Sequence, residues 1–190
     1  MTVVADRVIP ASTAEAPAYS AVSKWFHWVT AALIAVALPL GFIIDHMKDS
    51  DKMPFYAIHE SAGVTIFLVA LARLTWRLTH PAPPLPAHIP ALNRHLANGV
   101  HHALYGLLIL QPLIGFVATN AFGFPLRGQT AYLGFINLPK FMETDEALGG
   151  VLSTLHSIGG WSILVLLVLH IGGVIYHHAL RRDGLLLRMV

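Results

Sequence analysis

The chain has 190 residues, 55% of them hydrophobic and only 12% charged, against about 25% charged in an average soluble domain. These proportions exclude an ordinary soluble globule, and the length suits one membrane bundle rather than two domains. A formal charge of +2 without a basic run excludes a nucleic-acid partner, and the absence of cysteine excludes structural disulfides, thiolate-held iron–sulfur clusters, covalent c-type haem and cysteine zinc sites.

Residues 1–18 contain no long apolar run and read as a disordered cytoplasmic tail. Without an uninterrupted apolar stretch ahead of Ala14, Ala16 and Ala18, a cleaved signal peptide is rejected. Residues 19–190 form the single predicted domain, an all-α bundle of four transmembrane helices. The first apolar run is Lys24–Ile44, opened by Ser20 or Ser23 as N-cap and flanked by Trp25 and Trp28, where interfacial aromatics belong. A polar turn, Asp45–Met53, leads to Pro54, which suits the first turn of a helix over Phe55–Leu78. The prolines between His80 and Pro90 make the next link stiff and extended. Asn98–Thr119 is the third span. A Gly- and Phe-rich loop over residues 120–152 follows and is expected to pack over the external face as a partial lid, before the last span, Ser153–Leu180.

Arg7, Lys24, Arg73, Arg77, Arg94, Arg181, Arg182 and Arg188 fall on one side of this arrangement. Lys48, Lys52, Arg127 and Lys140 fall on the other. The positive-inside rule then puts both termini in the cytoplasm.

Twelve histidines dominate the chemistry available. His156 and His170 are fourteen residues apart in the fourth span. That separation returns them to within about 40° of one helix face and roughly 21 Å apart along the axis, one near each side of the bilayer. His27 lies at the cytoplasmic end of the first span and His59 at the external end of the second. Depth therefore pairs His27 with His170 and His59 with His156. Ionisable side chains inside a span face a bundle interior and mark function by default.

Haem iron takes two axial imidazoles, and its ring needs lateral room. Small residues follow each histidine by about one turn: Thr30 and Ala31, Ala62 and Gly63, Gly159 and Gly160, and Gly173. Close helix packing recruits the same residues, but four depth-matched histidines with small neighbours read as two stacked bis-imidazole haem sites. Arg73 and Arg77, four apart on one face, are candidates for haem propionates as well as snorkelling anchors. His101 and His177 are candidates for a quinone contact or proton transfer. His46, His80, His88, His95 and His178 read as surface groups, and Trp76 and Trp161 as interfacial or packing residues.

Several segments together carry a resemblance: Trp25-Phe-His27-Trp28, Ile58-His59-Glu-Ser-Ala-Gly63, Arg73-Leu-Thr-Trp-Arg77 with the proline run, Gly99-Val-His101-His-Ala-Leu-Tyr105 running into Pro112-Leu-Ile-Gly115, and Leu155-His156, Leu169-His170 and Tyr176-His177-His178. From about Tyr19 to Met189 the chain resembles the bacterial cytochrome b561 family, related to the cytochrome b subunits of nickel–iron hydrogenases. The resemblance implies two b-type haems, axial ligands at His27, His59, His156 and His170, and electron transfer between an external one-electron partner and ubiquinone in the bacterial inner membrane. One branch of the family oxidises superoxide; it carries a further histidine one turn before the position of His101, where this chain has Ala97. The alternatives are a haem b membrane anchor passing electrons from a dehydrogenase or hydrogenase to quinone, a transporter or structural subunit with relay histidines, and a non-haem di-metal hydroxylase. The last needs closely spaced histidine boxes at one membrane edge.

Overall fold

The computed structural model describes residues 17–48, 50–86 and 88–190. The tail expected over residues 1–18 lies outside them except for Pro17 and Ala18. Four helices make the bundle: α1 (Ala21–Ile43), α2 (Met53–Thr79), α3 (Ala91–Ala121) and α4 (Glu146–Ile175). All four are long and apolar enough to cross a membrane. No strand occurs among the described residues, only an isolated antiparallel bridge between Tyr132 and Ile136.

The helices outrun the apolar windows. α3 opens at Ala91 rather than Asn98, directly after Pro90, and α4 opens at Glu146 rather than Ser153. A 31-residue helix such as α3 is about 46 Å long, well beyond a hydrocarbon core of about 30 Å, so its polar first turns extend past the region hydropathy detects. Local chemistry sets the starts. Ser20 caps α1 by accepting from Ser23 N–H, Asp145 caps α4 by accepting from Leu148 N–H, and Pro54 stands in the first turn of α2.

Small side chains bring α1, α2 and α3 together around Ala37, Ala62, Ile66, Ala70 and Leu108. The α4 helix leans along α3, makes few close backbone approaches to α1 or α2, and exposes Trp161, Val165, Val168 and Ile171. The start of α1 and the C-terminal segment lie at one end of the bundle, the terminus end, where Tyr19 N–H donates to Arg188 O; the links between α1 and α2 and between α3 and α4 lie at the other, the loop end.

At the terminus end the chain folds back on itself. α4 runs into a π-helical turn, Tyr176–Arg181, then reverses through left-handed Arg182 and Gly184 to a short 3₁₀ turn, Leu186–Arg188. Arg188, counted in the sequence as one more topology charge, is only 4% exposed. It donates to the carbonyls of Pro17, Pro83 and Pro84, each at 3.0 Å. Lys24 reaches Val190 O at 2.6 Å and Trp28 Nε1 reaches Met189 O at 3.0 Å. The planar guanidinium is what lets one side chain satisfy three carbonyls and tie the C-terminal segment to Pro17 and the proline link.

The loop between α3 and α4 goes deeper than a lid over the end face. Tyr132 Oη lies 3.2 Å from Thr65 Oγ1, and Leu133 N–H donates to Ser61 Oγ at 3.1 Å. Thr65 is more than three turns into α2. Irregular backbone at that depth is tolerated only where its polar groups are met within the protein. Here Tyr132 and Ile136 bond each other and Gly134 N–H bonds Ala131 O.

Candidate functional site

At the loop end, His59 of α2 and His156 of α4 face each other with ring centres 6.0 Å apart and planes at 83°. Each ring is held from the side by a helix other than its own. His59 Nδ1 lies 2.9 Å from Ala37 O on α1, and His156 Nδ1 lies 3.1 Å from Gln111 O on α3. A carbonyl only accepts, so both Nδ1 atoms carry the proton and both Nε2 lone pairs are left for a metal. The Gln111 carboxamide also donates to His156 O. The buried polar atoms without a partner among the described residues, Glu60 Oε2 and Gln111 Oε1, both belong to residues beside this pair.

At the terminus end, His27 of α1 and His170 of α4 have ring centres 6.1 Å apart and planes at 58°. His101 of α3 meets His170 edge-on at 5.1 Å. Arg73 lies within electrostatic reach of His27, His101 and His170, and Arg77 within reach of His101. The Arg73 guanidinium also sits 4.9 Å from the Tyr105 ring. The end is therefore cationic and rich in donors. His177 is engaged elsewhere: its Nδ1 lies 2.5 Å from Asp183 Oδ2, with the two side chains 15% and 5% exposed. His46, His80, His88, His95, His102 and His178 are exposed and join neither pair. Trp76 stacks on His80 and donates to Ser23, while Trp161 packs on Phe42.

The four histidines fit a haem on metric grounds. A ring centre lies about 1 Å from each imidazole nitrogen and a nitrogen–metal bond adds about 2 Å. Two rings on one metal therefore have centres roughly 6 Å apart, as both pairs do here. α4 makes few close backbone approaches to α1 or α2, so its histidines meet theirs across a wider gap than the one between α3 and α4. The small residues contribute unequally. A Cβ at Gly63 or Gly173 would meet nothing within 4 Å, whereas one at Gly159 would fall on the Gln111 carboxamide, so Gly159 makes room for that side chain. Gln111, Glu60, Gly41 and Asp183 did not stand out in the sequence. The available signal was a polar residue mid-span and the proline–glycine pairs Pro39/Gly41 and Pro112/Gly115.

Facing imidazole pairs between membrane-length helices are the architecture of a membrane b-type cytochrome. A family described as "Prokaryotic cytochrome b561" matches residues 18–190, and the chain belongs to that family. It is 29% identical over 175 residues to "Cytochrome b561 homolog 2" of Escherichia coli (strain K12), covering 90% of each chain. To "Cytochrome b561 homolog 1" of the same organism it is 23% identical over 175 residues, 90% of this chain and 96% of the relative. To "Probable superoxide oxidase CybB" of Yersinia pestis it is 24% identical over 172 residues, 90% and 95%. Membership brings b-type haem and electron transfer in a bacterial membrane.

Proposed function

We propose that this chain binds two b-type haems, one between His59 and His156 and one between His27 and His170, and passes single electrons across the bacterial inner membrane between an external partner and ubiquinone. The observation that carries the reading is the pair of ring-centre separations, 6.0 and 6.1 Å, at opposite ends of one bundle. When bound, haem supplies reversible one-electron chemistry at iron. The protein's own residues do the rest. The Nδ1–H bonds to Ala37 O and Gln111 O orient the loop-end ligands and raise their basicity. Arg73 and Arg77 supply charge for propionates at the terminus end. His101, edge-on to His170, is the group that binds quinone and moves its proton. His177 is tied to Asp183 and acts on the quinone side through that pair.

Positive-inside counting supports a terminus end in the cytoplasm, which makes the loop end external. Superoxide is the small-molecule donor proposed there, by likeness to the probable superoxide oxidase of Yersinia pestis; a dehydrogenase or hydrogenase partner would use the same route. Among the described residues no group of three or more His, Asp or Glu converges as a non-haem metal centre requires.

The test is haem stoichiometry by pyridine haemochrome on full-length protein made with ample haem, repeated on single alanine variants of the four histidines. Two haems per chain, a split reduced-minus-oxidised band and loss of one haem per variant are expected. A colourless protein, or four variants that keep full haem content, overturns the assignment.

A further inference from the structure

The two loop-end histidines are held by the same device on different helices. Ala37 O accepts from His59 Nδ1–H, and four residues on, one turn along the same face of α1, stands Gly41. A Cβ there would lie 2.9 Å from His59 Cε1. Gln111 O accepts from His156 Nδ1–H, and four residues on along α3 stands Gly115. A Cβ there would lie 2.8 Å from His156 Cε1 and 3.1 Å from its Nδ1. Cε1 is the ring atom between the two nitrogens. Each glycine therefore touches the ring edge between the nitrogen that donates and the nitrogen free for a metal.

Helix packing alone does not require this. Gly99 and Gly106 of α3, Gly63 of α2 and Gly172 and Gly173 of α4 have nothing within 4 Å of a built Cβ. At Gly41 and Gly115 the atom that would have to give way is the imidazole itself, already pinned by its carbonyl. Turning either ring about its Cβ–Cγ bond breaks the Nδ1–H bond. With both rings held this way, the ring planes lie at 83°. Among the described residues no such carbonyl bond holds His27 or His170, and their planes lie at 58°.

We propose that Ala37/Gly41 and Gln111/Gly115 are two imidazole cradles whose glycines are positioning residues, setting the tautomer and the near-perpendicular planes of the loop-end axial pair. The proposal rests on that pair being haem ligands. It makes the two haems spectroscopically unlike. In low-spin ferric bis-imidazole haem, perpendicular planes leave two iron d orbitals nearly degenerate and spread the g values widely, whereas more nearly parallel planes separate them and give an ordinary rhombic signal.

The experiment is low-temperature electron paramagnetic resonance of the ferric full-length protein carrying its haems, beside H59A, H156A, G41A, G115A and G106A. Wild type is expected to show two low-spin signals, of which the more anisotropic vanishes in H156A. G41A and G115A are expected to lower the largest g value of that signal or lose it, leaving the other unchanged, while G106A leaves both unchanged. Wild-type spectra decide the matter alone if a glycine variant does not accumulate: a rhombic signal as the one lost in H156A overturns the cradles. So do G41A and G115A proteins with two haems and unaltered spectra. If H59A and H156A both retain two haems, it is the haem assignment that fails.

Discussion

The two histidine pairs have nearly the same separation and are held by opposite means. At the loop end the rings are wedged between backbone carbonyls and glycines, with a hairpin from the α3–α4 loop packed against α2 nearby. At the terminus end the surroundings are side chains: a third imidazole, two arginines and a tyrosine. Backbone is rigid and uncharged, so it suits a site that must hold a cofactor still. Mobile cationic and proton-bearing side chains suit a site where an exchangeable ligand arrives and protons move with electrons. On the proposed reading, the bundle would hold one haem rigidly at the loop end and meet an exchangeable, proton-linked ligand at the terminus end.

The largest break of this comparison is removal of either pair alone. His156→Ala and His170→Ala are each expected to halve haem content, from two to one per chain, with a different half of the split visible band lost in each; pyridine haemochrome and difference spectra measure both. Next comes His101→Ala. It should keep both haems yet slow quinone reduction by about 100-fold, the scale of a lost proton-transfer group, in stopped-flow assays with a ubiquinone analogue; an equal loss of haem would make His101 structural instead. Arg73→Gln sharpens the contrast electrostatically. Removing a cation near the terminus-end pair stabilises the ferric form, lowering that haem's midpoint by roughly 40 mV, the one-electron equivalent of about 1 kcal/mol, while the loop-end haem stays put in a redox titration. The smallest effect is on stability. Gly159→Ala drives a Cβ into the Gln111 carboxamide and should cost about 1–3 kcal/mol in thermal unfolding, against a gain of at most about 1 kcal/mol for Gly106→Ala, where the space is open.

Four spans were legible because hydropathy is a local property, and the order of the histidine segments was enough to name the family. Helix ends were less so. Windows tuned to hydrocarbon stop at Asn98 and Ser153, whereas Pro90 and the Asp145 cap start α3 and α4 earlier. Arg188 misled for a related reason: a charge count treats every arginine as a surface anchor, and only the folded chain brings three carbonyls round this one. The cradles were hidden more deeply. A backbone carbonyl has no letter in the sequence, so Ala37 O and Gln111 O announce nothing, and a glycine mid-span reads as helix packing until a ring is found against it.

From the sequence alone came four segments apolar enough to cross a bilayer and the spacing of the histidines along them, because transfer energies are summed residue by residue and a helix rises by a constant step. Only the tertiary structure decided which faces meet, which carbonyl receives each Nδ1 proton and at what angle the paired rings lie. Those depend on the separation and rotation of helices far apart in the chain, where a shift of an ångström makes or breaks a hydrogen bond.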